Sequence, residues 1–378
     1  FAVTGGNATS GGVAAFCGET AGQGRVFDEI VSELERCRAI VPYRPYPEME
    51  ARCFDHEILA LILQEMLLRH RVRLLLHTRV ADCVMEGAAL RSCLIAGSAG
   101  LEAVEAGMFI DCSGEAILVH CAGLATMKGG EDSPALLPMA LMAFVRHTRK
   151  NDQFPVIPEE VIAAFRSDGE IPAVSIWPNG PRANAIKIKL PGCDPTDPES
   201  FTAAEIYARR TLMRVLDDQI RVKGKKWMLD HCSPLVGIRE GRRAVGDYVL
   251  RKADLQAGRC FEDAVALGRF YLDNPSQSSR HGWMFDEKER KVPPYQIPFR
   301  SLVVKGADNL LVAGRCFSAD QAALSSARVM TTCAMMGQAA GIGAALALVR
   351  GGNVRNVDFG EVRHEVTRNG AVLDCSTK

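Results

Sequence analysis

The sequence predicts an α/β protein in two parts, a main domain interrupted by an inserted α+β unit, on three observations. Leu310–Ala313 is a short apolar run that reads as a buried strand, and Gly314 ends it where backbone can approach a ligand closely. A long apolar helix follows from about Ala327. In it Gly337, Ala340, Gly341, Ala344 and Ala345 recur at i, i+3, i+4, i+7 and i+8, so one face is nearly bare and suited to press against a sheet or a flat cofactor. The chain has 378 residues, more than a typical single core holds, and its 34 glycines suit the tight strand-to-helix turns of a nucleotide-binding α/β protein.

In chain order, Phe54–Leu68 has the pattern of an amphipathic helix, and His70–Val80 reads as the strand after it. Cys83–Glu86, Leu90–Ala96 and Glu102–Asp111 read as a small meander leading to a turn at Asp111–Gly114. The apolar stretch Met139–Val145 opens the inserted unit, which continues with a helix over Pro158–Phe165, a strand at Ala185–Leu190 and a long helix over Ala203–Val222. The proline-rich stretches Pro191–Pro198 and Pro293–Pro298 are turn or linker signals. From about residue 296 the chain returns to the first domain and closes with a helix over Asp358–Arg368. The expected division is 1–135 with 296–378 as one discontinuous domain, and 136–295 as the other.

Composition narrows the function. Lysine plus arginine equals aspartate plus glutamate at 45 each, so no net field draws the molecule to nucleic acid or an anionic membrane. The apolar run Ala334–Val349 is interrupted by Gln338 and falls short of the roughly 20 residues of a membrane span, which predicts a buried helix. The 13 cysteines include no C-x-x-C pair, and Cys93, Cys121 and Cys333 lie in apolar runs. Reduced thiols in a cytoplasmic protein are expected rather than a metal site. No G-x-S-x-G turn is present for a hydrolase nucleophile.

The segment 309–348 resembles the C-terminal flavin-contacting segment of FAD-dependent oxidoreductases with two dinucleotide-binding domains, a group that includes relatives of the fumarate reductase flavoprotein. Further pieces match in order. Gly5–Gly12 (GGNATSGG) resembles the loop that packs along the flavin, and Phe54–Leu68 with Val72–Val80 resembles a helix before a strand. Phe109–Gly123 resembles the D-A-T-G-D turn, and Gly237–Leu250 and Ile297–Arg315 also match. The resemblance implies FAD as cofactor and oxidoreductase chemistry on a small organic substrate. It places cofactor contacts at Gly5, Gly6, Asn7, Ala8, Thr9, Val80, Ser113, Gly114, Gly314, Arg315, Arg328, Met330 and Thr331. Attachment is expected to be non-covalent, because Gly5–Gly12 holds no His, Cys or Tyr.

The family opens with a strand, a G-x-G-x-x-G turn and a helix whose N-terminus faces the pyrophosphate. Gly341-Ile342-Gly343 sits inside a helix and does not substitute for it. The expectation is therefore an N-terminally truncated FAD-binding Rossmann-like domain, short by about 30 residues, with an inserted substrate domain. A flavin-free binding module of the same fold is the alternative.

For catalysis the sequence offers cations and two histidines. Arg239 follows the apolar stretch Leu235–Ile238 and is expected to point into a cleft, whereas Arg242 and Arg243 read equally as a salt-bridge set. Arg300 precedes the return strand, and His231 is a candidate acid or base, as is His56. Tyr295 and Gln296 are further candidates. Arg328, at the start of the long helix, is positioned to add charge where a reduced flavin gathers negative charge; an ion pair is the other reading.

Overall fold

The structure, a computed structural model, describes residues 2–46, 49–131, 133–149, 160, 171, 174–276 and 282–375. At its centre a short parallel pair joins Phe109–Asp111 to Leu310–Val312, with Leu310 opposite Phe109 and Val312 opposite Asp111. Phe109, Leu310, Leu311 and Val312 are buried, as an apolar run in a covered parallel pair requires. Both strands end at the same edge, so the turns that follow them emerge side by side. Asp111 is the buried polar exception. Its carboxylate accepts N–H groups from Ser113 at 2.9 Å, Leu118 at 2.9 Å and Val119 at 3.3 Å, which pins the turn and starts the short helix Ile117–Cys121.

The expected helix from Ala327 is two helices, Gln321–Ala327 and Met330–Leu348. The chain breaks between them because Val329 is extended, at φ −64° and ψ 148°. The longer helix is long and apolar enough to cross a membrane, yet it packs on Phe359–Arg368, Ala264–Gly268, Gly314–Cys316 and Arg25–Arg36. Its bare face is packed only in part, since Ala340 and Ala344 are buried while the rest of that stripe is open. Gly337, Gly341 and Ala345 are exposed, and a Cβ on either glycine would meet nothing within 4 Å. Met335, Met336, Ala339, Ala340, Gly343, Ala344 and Ala347 are buried instead. The helix is apolar all round, so residue size alone did not mark the inner face; the two methionines fill the core, and Gly343 abuts the Phe299 ring.

The meander forms from Arg79–Glu86, Ala89–Gly97 and Gly100–Glu105. The strand expected at His70–Val80 begins only at Arg79. Arg71 and His77 take positive φ of 57° and 53°, which is turn geometry and incompatible with a strand.

A four-stranded antiparallel sheet has the order Val174–Pro178, Ala183–Leu190, Met139–His147, Trp227–Cys232. Alternation sends Leu141, Ala143, Val145, Ile186 and Ile188 to one face, where the helix Pro198–Asp217 covers them. That helix is capped by Asp197, with Pro198 in its first turn, and runs on as a π turn to Val222. Met142, Phe144 and Ala185 take the other face and pack with Phe16, Phe27, Phe54 and Leu59 of the N-terminal segment. Lys187, opposite Met142, and Lys189, opposite Ala140, share that second face.

The segment 136–295 does not share one core. Ala244, Leu250 and Ala264–Leu267 belong to the main core, where Ala264–Gly268 pairs with Tyr295–Pro298 under the long helix. The helix expected over Pro158–Phe165 falls, Glu160 apart, outside the described residues.

Candidate functional site

Three pieces of backbone frame the site. The first is the loop Gly5–Gly12, held by Asn7 to the segment beside Gly237, which bridges to Ala140 of the four-stranded sheet. The Asn7 amide donates to the Ile238 carbonyl at 2.6 Å and accepts the Ile238 N–H at 3.3 Å, which sets Arg239 beside the loop. Ala8 and Thr9 are buried, and the Thr9 hydroxyl donates to the Thr4 carbonyl at 2.5 Å.

The second piece is the paired turns after the parallel strands. Gly114 and Gly314 have φ of +78° and +77°, a conformation that favours glycine. A Cβ on Gly114 would lie 2.6 Å from the Arg315 guanidinium, so only glycine leaves Arg315 its place. Arg315 stands 3.7 Å from Glu115, too far for a hydrogen bond. Arg315 Nη1 and Glu115 Oε1 are both buried without a partner. Burial lowers the Arg315 pKa and raises that of Glu115. Ser113 uses its hydroxyl on the turn itself, accepting the Ile117 N–H at 3.0 Å.

The third piece is the start of the long helix. Val329 supplies no side-chain cap, and the first bond that closes a helical turn runs from the Cys333 N–H to the Val329 carbonyl at 2.9 Å. The N–H groups of Met330 and Thr331 therefore stand at an uncapped helix N-terminus. The Thr331 hydroxyl donates to the Cys17 carbonyl at 3.4 Å.

Charged groups converge between these pieces. Arg328 donates to Asp273 at 2.7 Å and keeps an unpartnered, buried Nε. Burial pushes the Asp273 carboxyl up, but Arg328, then Arg239 and Lys187, hold it below its ordinary value. Arg239 donates to the Pro138 carbonyl, and burial pushes its pKa down to about 10. The Lys187 ammonium lies 5.8 Å from the Trp177 ring centroid, and its pKa is lowered by burial first and by Arg239 second. Both cations keep some exposure while being strongly desolvated, as side chains lining a cleft do. Cys17 sits among the same charges, its thiol pushed up to about 11 by burial and then by Asp273.

The structure brings together Gly5–Thr9, Ser113–Gly114, Gly314–Arg315, Arg328–Thr331 and Arg239, and sets other candidates apart. Arg300 is a bidentate partner of Asp263, at 2.9 and 3.1 Å, and its electrostatic neighbours are Asp263, Tyr248 and Glu262. His231 lies on the same sheet face as Phe144, opposite it in register, ring centroids 4.6 Å apart. Its own partners are His56, at 3.3 Å between Nε2 atoms, and Asp230 at 3.0 Å. Burial, followed by His231, lowers the His56 pKa. Val80 pairs with Ile95 in the meander strand that packs on Ile117–Cys121. Arg243 is a buried ion-pair partner of Glu240. Tyr295 and Gln296 are structural: Tyr295 bonds Ser326 at 2.6 Å, and Gln296 bridges the Phe261 N–H and the Leu373 carbonyl, each at 2.7 Å.

Sequence reasoning missed Lys187, Asp273 and Cys17. The alternating Lys187-Ile188-Lys189-Leu190 was a signal, since two lysines share one face of the strand, but that pattern ordinarily marks a solvated face. Asp273 carried no signal. A separate open cavity of about 1000 Å³, lined in part by Cys260, Arg363 and Leu373, shares no residue with this site.

The sequence model of a family described as FAD dependent oxidoreductase matches residues 1–366. No curated protein matches the chain. Similar solved structures include flavin-dependent brominase Bmp2 as a triple mutant, 11% identical, covering 93% of this chain and 74% of that one at a TM-score of 0.44. A geranylgeranyl bacteriochlorophyll reductase-like protein from Thermoplasma acidophilum is 10% identical, with 87% and 63% covered and a TM-score of 0.41. The p-nitrophenol 4-monooxygenase PnpA from Pseudomonas putida is 9% identical, with 97% and 77% covered and a TM-score of 0.46.

Proposed function

Because this chain belongs to the family of FAD-dependent oxidoreductases, we propose that its cleft holds FAD non-covalently and oxidises or reduces a small organic substrate. The carrying observation is the set of unpartnered buried polar atoms at one place: Arg315 Nη1, Glu115 Oε1 and Arg328 Nε, beside an uncapped helix N-terminus. A buried polar atom without a hydrogen bond costs about 1–3 kcal/mol. A ligand with a carbonyl-rich edge supplies acceptors to the two guanidinium nitrogens, and a ligand N–H or hydroxyl would donate to Glu115 Oε1, which otherwise faces only Arg315 at 3.7 Å. The crevice beyond the carboxyl ends of parallel strands is also where α/β proteins place nucleotides.

In this reading Gly5–Thr9, Ser113–Gly114, Gly314–Arg315 and Met330–Thr331 hold the cofactor. When bound, the flavin supplies the two-electron chemistry. The N–H groups at the helix start, with Arg328, stabilise negative charge, while the sheet face at Lys187 walls the substrate side. Arg239 and Lys187 replace Arg300 as the cations facing substrate. His231, joined to His56, is proposed as a route for protons between cleft and solvent, since its side chain is 40% exposed. The 13 thiols without clustered spacing support a reducing, cytoplasmic setting.

The test is a visible spectrum of the purified chain before and after incubation with FAD, followed by acid precipitation. Weak uptake is expected, because the sequence holds no G-x-G-x-x-G turn to bind the pyrophosphate, and what flavin does bind should be released into the supernatant. Protein that takes up no FAD would overturn the reading in favour of a flavin-free binding module, and flavin that stays with the pellet would overturn non-covalent attachment.

A further inference from the structure

We propose that Lys187 and Arg239 form an oxyanion subsite that binds the substrate through a carboxylate or phosphate group. The proposal rests on the flavin reading above and adds the chemical class of the substrate.

Lys187, Arg239 and Arg328 share a single carboxylate, Asp273, and Arg328 takes that carboxylate directly at 2.7 Å. Among the described residues no carboxylate pairs with Lys187 or Arg239. The Cys17 thiol does not supply the missing charge, since burial and Asp273 keep it protonated at neutral pH. Two desolvated cations without counter-ions are costly unless an anion joins them.

Geometry points the same way. Lys187 stands on the cleft side of the sheet in the row of Met142, next to Trp177. Arg239 is anchored through Nη1 to the Pro138 carbonyl, and its backbone neighbour Ile238 is clamped by Asn7. The remaining guanidinium N–H groups have no partner among the described residues and offer the planar fork that suits an oxyanion. Lys187 adds a point charge from the strand Ala183–Leu190, within electrostatic reach of Arg239.

The FAD-loaded protein is titrated at low ionic strength with malonate and, separately, with inorganic phosphate. Flavin absorption and tryptophan emission are both followed. Saturable binding of at least one probe is expected, with malonate preference assigning a carboxylate and phosphate preference a phosphate monoester. Lys187→Gln and Arg239→Gln should each weaken that probe about tenfold or more, with Lys187→Arg recovering part of the loss. FAD affinity should change less than about threefold, and the melting temperature of each variant shows whether it is folded. The proposal is overturned if neither probe saturates, or if the variants lose FAD while probe affinity is unchanged, because the cations would then serve the flavin's own phosphates. Tryptophan emission reads probe binding without flavin, so failure to load FAD sinks the flavin reading separately from the oxyanion one.

Discussion

Arg239 and Arg243 stand four residues apart in one segment, and the structure treats them in opposite ways. Arg243 is 1% exposed against a Glu240 that is fully buried. Glu240 also accepts the Gly129 N–H at 3.0 Å, the Leu137 N–H at 2.8 Å and the Gln321 side chain at 2.8 Å, while Arg243 donates to the Gly129 carbonyl at 2.6 Å. In that centre charge is balanced and the carboxylate is saturated with donors, although Arg243 Nε is left buried without a hydrogen-bond partner. At Arg239 the reverse holds, with surplus positive charge and unused donors facing a cleft. A balanced buried pair ties segments together, whereas an unbalanced one is a place that something else completes.

Removing one partner from the balanced centre should have the largest effect. Glu240→Ala leaves Arg243 as an uncompensated buried charge and should destabilise the fold by about 3–5 kcal/mol. Urea unfolding measures this, and a loss under about 1 kcal/mol would put Glu240 with surface pairs. The cleft substitutions Lys187→Gln and Arg239→Gln should instead leave the unfolding midpoint near its starting value or raise it.

A packed position about 20 Å along the long helix from its N-terminus separates steric from electrostatic loss. A Cβ on Gly343 would run into the Phe299 ring, which is fully buried and has no room to swing away. Gly343→Ala should cost about 1–3 kcal/mol by overpacking. Because the same helix begins at Met330, FAD retention should fall with stability, whereas Arg239→Gln should not lower the two together. Parallel thermal melts and flavin-release assays decide it.

The pH dependence of the open centre follows from Lys187. Its pKa is below the ordinary 10.5, through burial first and Arg239 second. Between the lowered folded value and 10.5 the unfolded chain binds more protons than the native one, so stability rises with pH through that window. The wild type should therefore gain stability relative to Lys187→Met as pH rises toward 10.5, and malonate should narrow the difference by restoring the charged amine. A pH-independent gap between the two melting temperatures would mean that Lys187 is solvated.

The same contrast between balanced and open places explains what the sequence could disclose. Contiguous runs were legible: Leu310–Val312, Met139–His147, Ala183–Leu190 and the helix ending at Arg368 declare themselves by period and length. The inward placement of Arg239, though not a role for it, was legible because an apolar stretch carries it. The cleft's other charges were not, because Lys187, Asp273 and Cys17 meet only through tertiary packing across some 250 residues of chain. Arg300 misled because a lone cation before a strand looks the same whether or not an Asp263 waits opposite. The bare face of the long helix misled for a related reason: glycine spacing shows where a backbone can be approached closely, not which face the core takes.

That last point gives the smallest effect and the sharpest contrast within one element. Gly341 lies two residues before Gly343 in the same helix, but it is exposed and a Cβ there meets nothing within 4 Å. Alanine at this position removes backbone freedom from the unfolded chain without adding a clash, so Gly341→Ala should stabilise by about 0.5–1 kcal/mol. Gly337→Ala, one turn earlier and equally open, should do the same. Flavin retention should be unchanged in both. A loss of stability at Gly341 comparable to that at Gly343 would mean that another surface, rather than solvent, meets the bare stripe in solution.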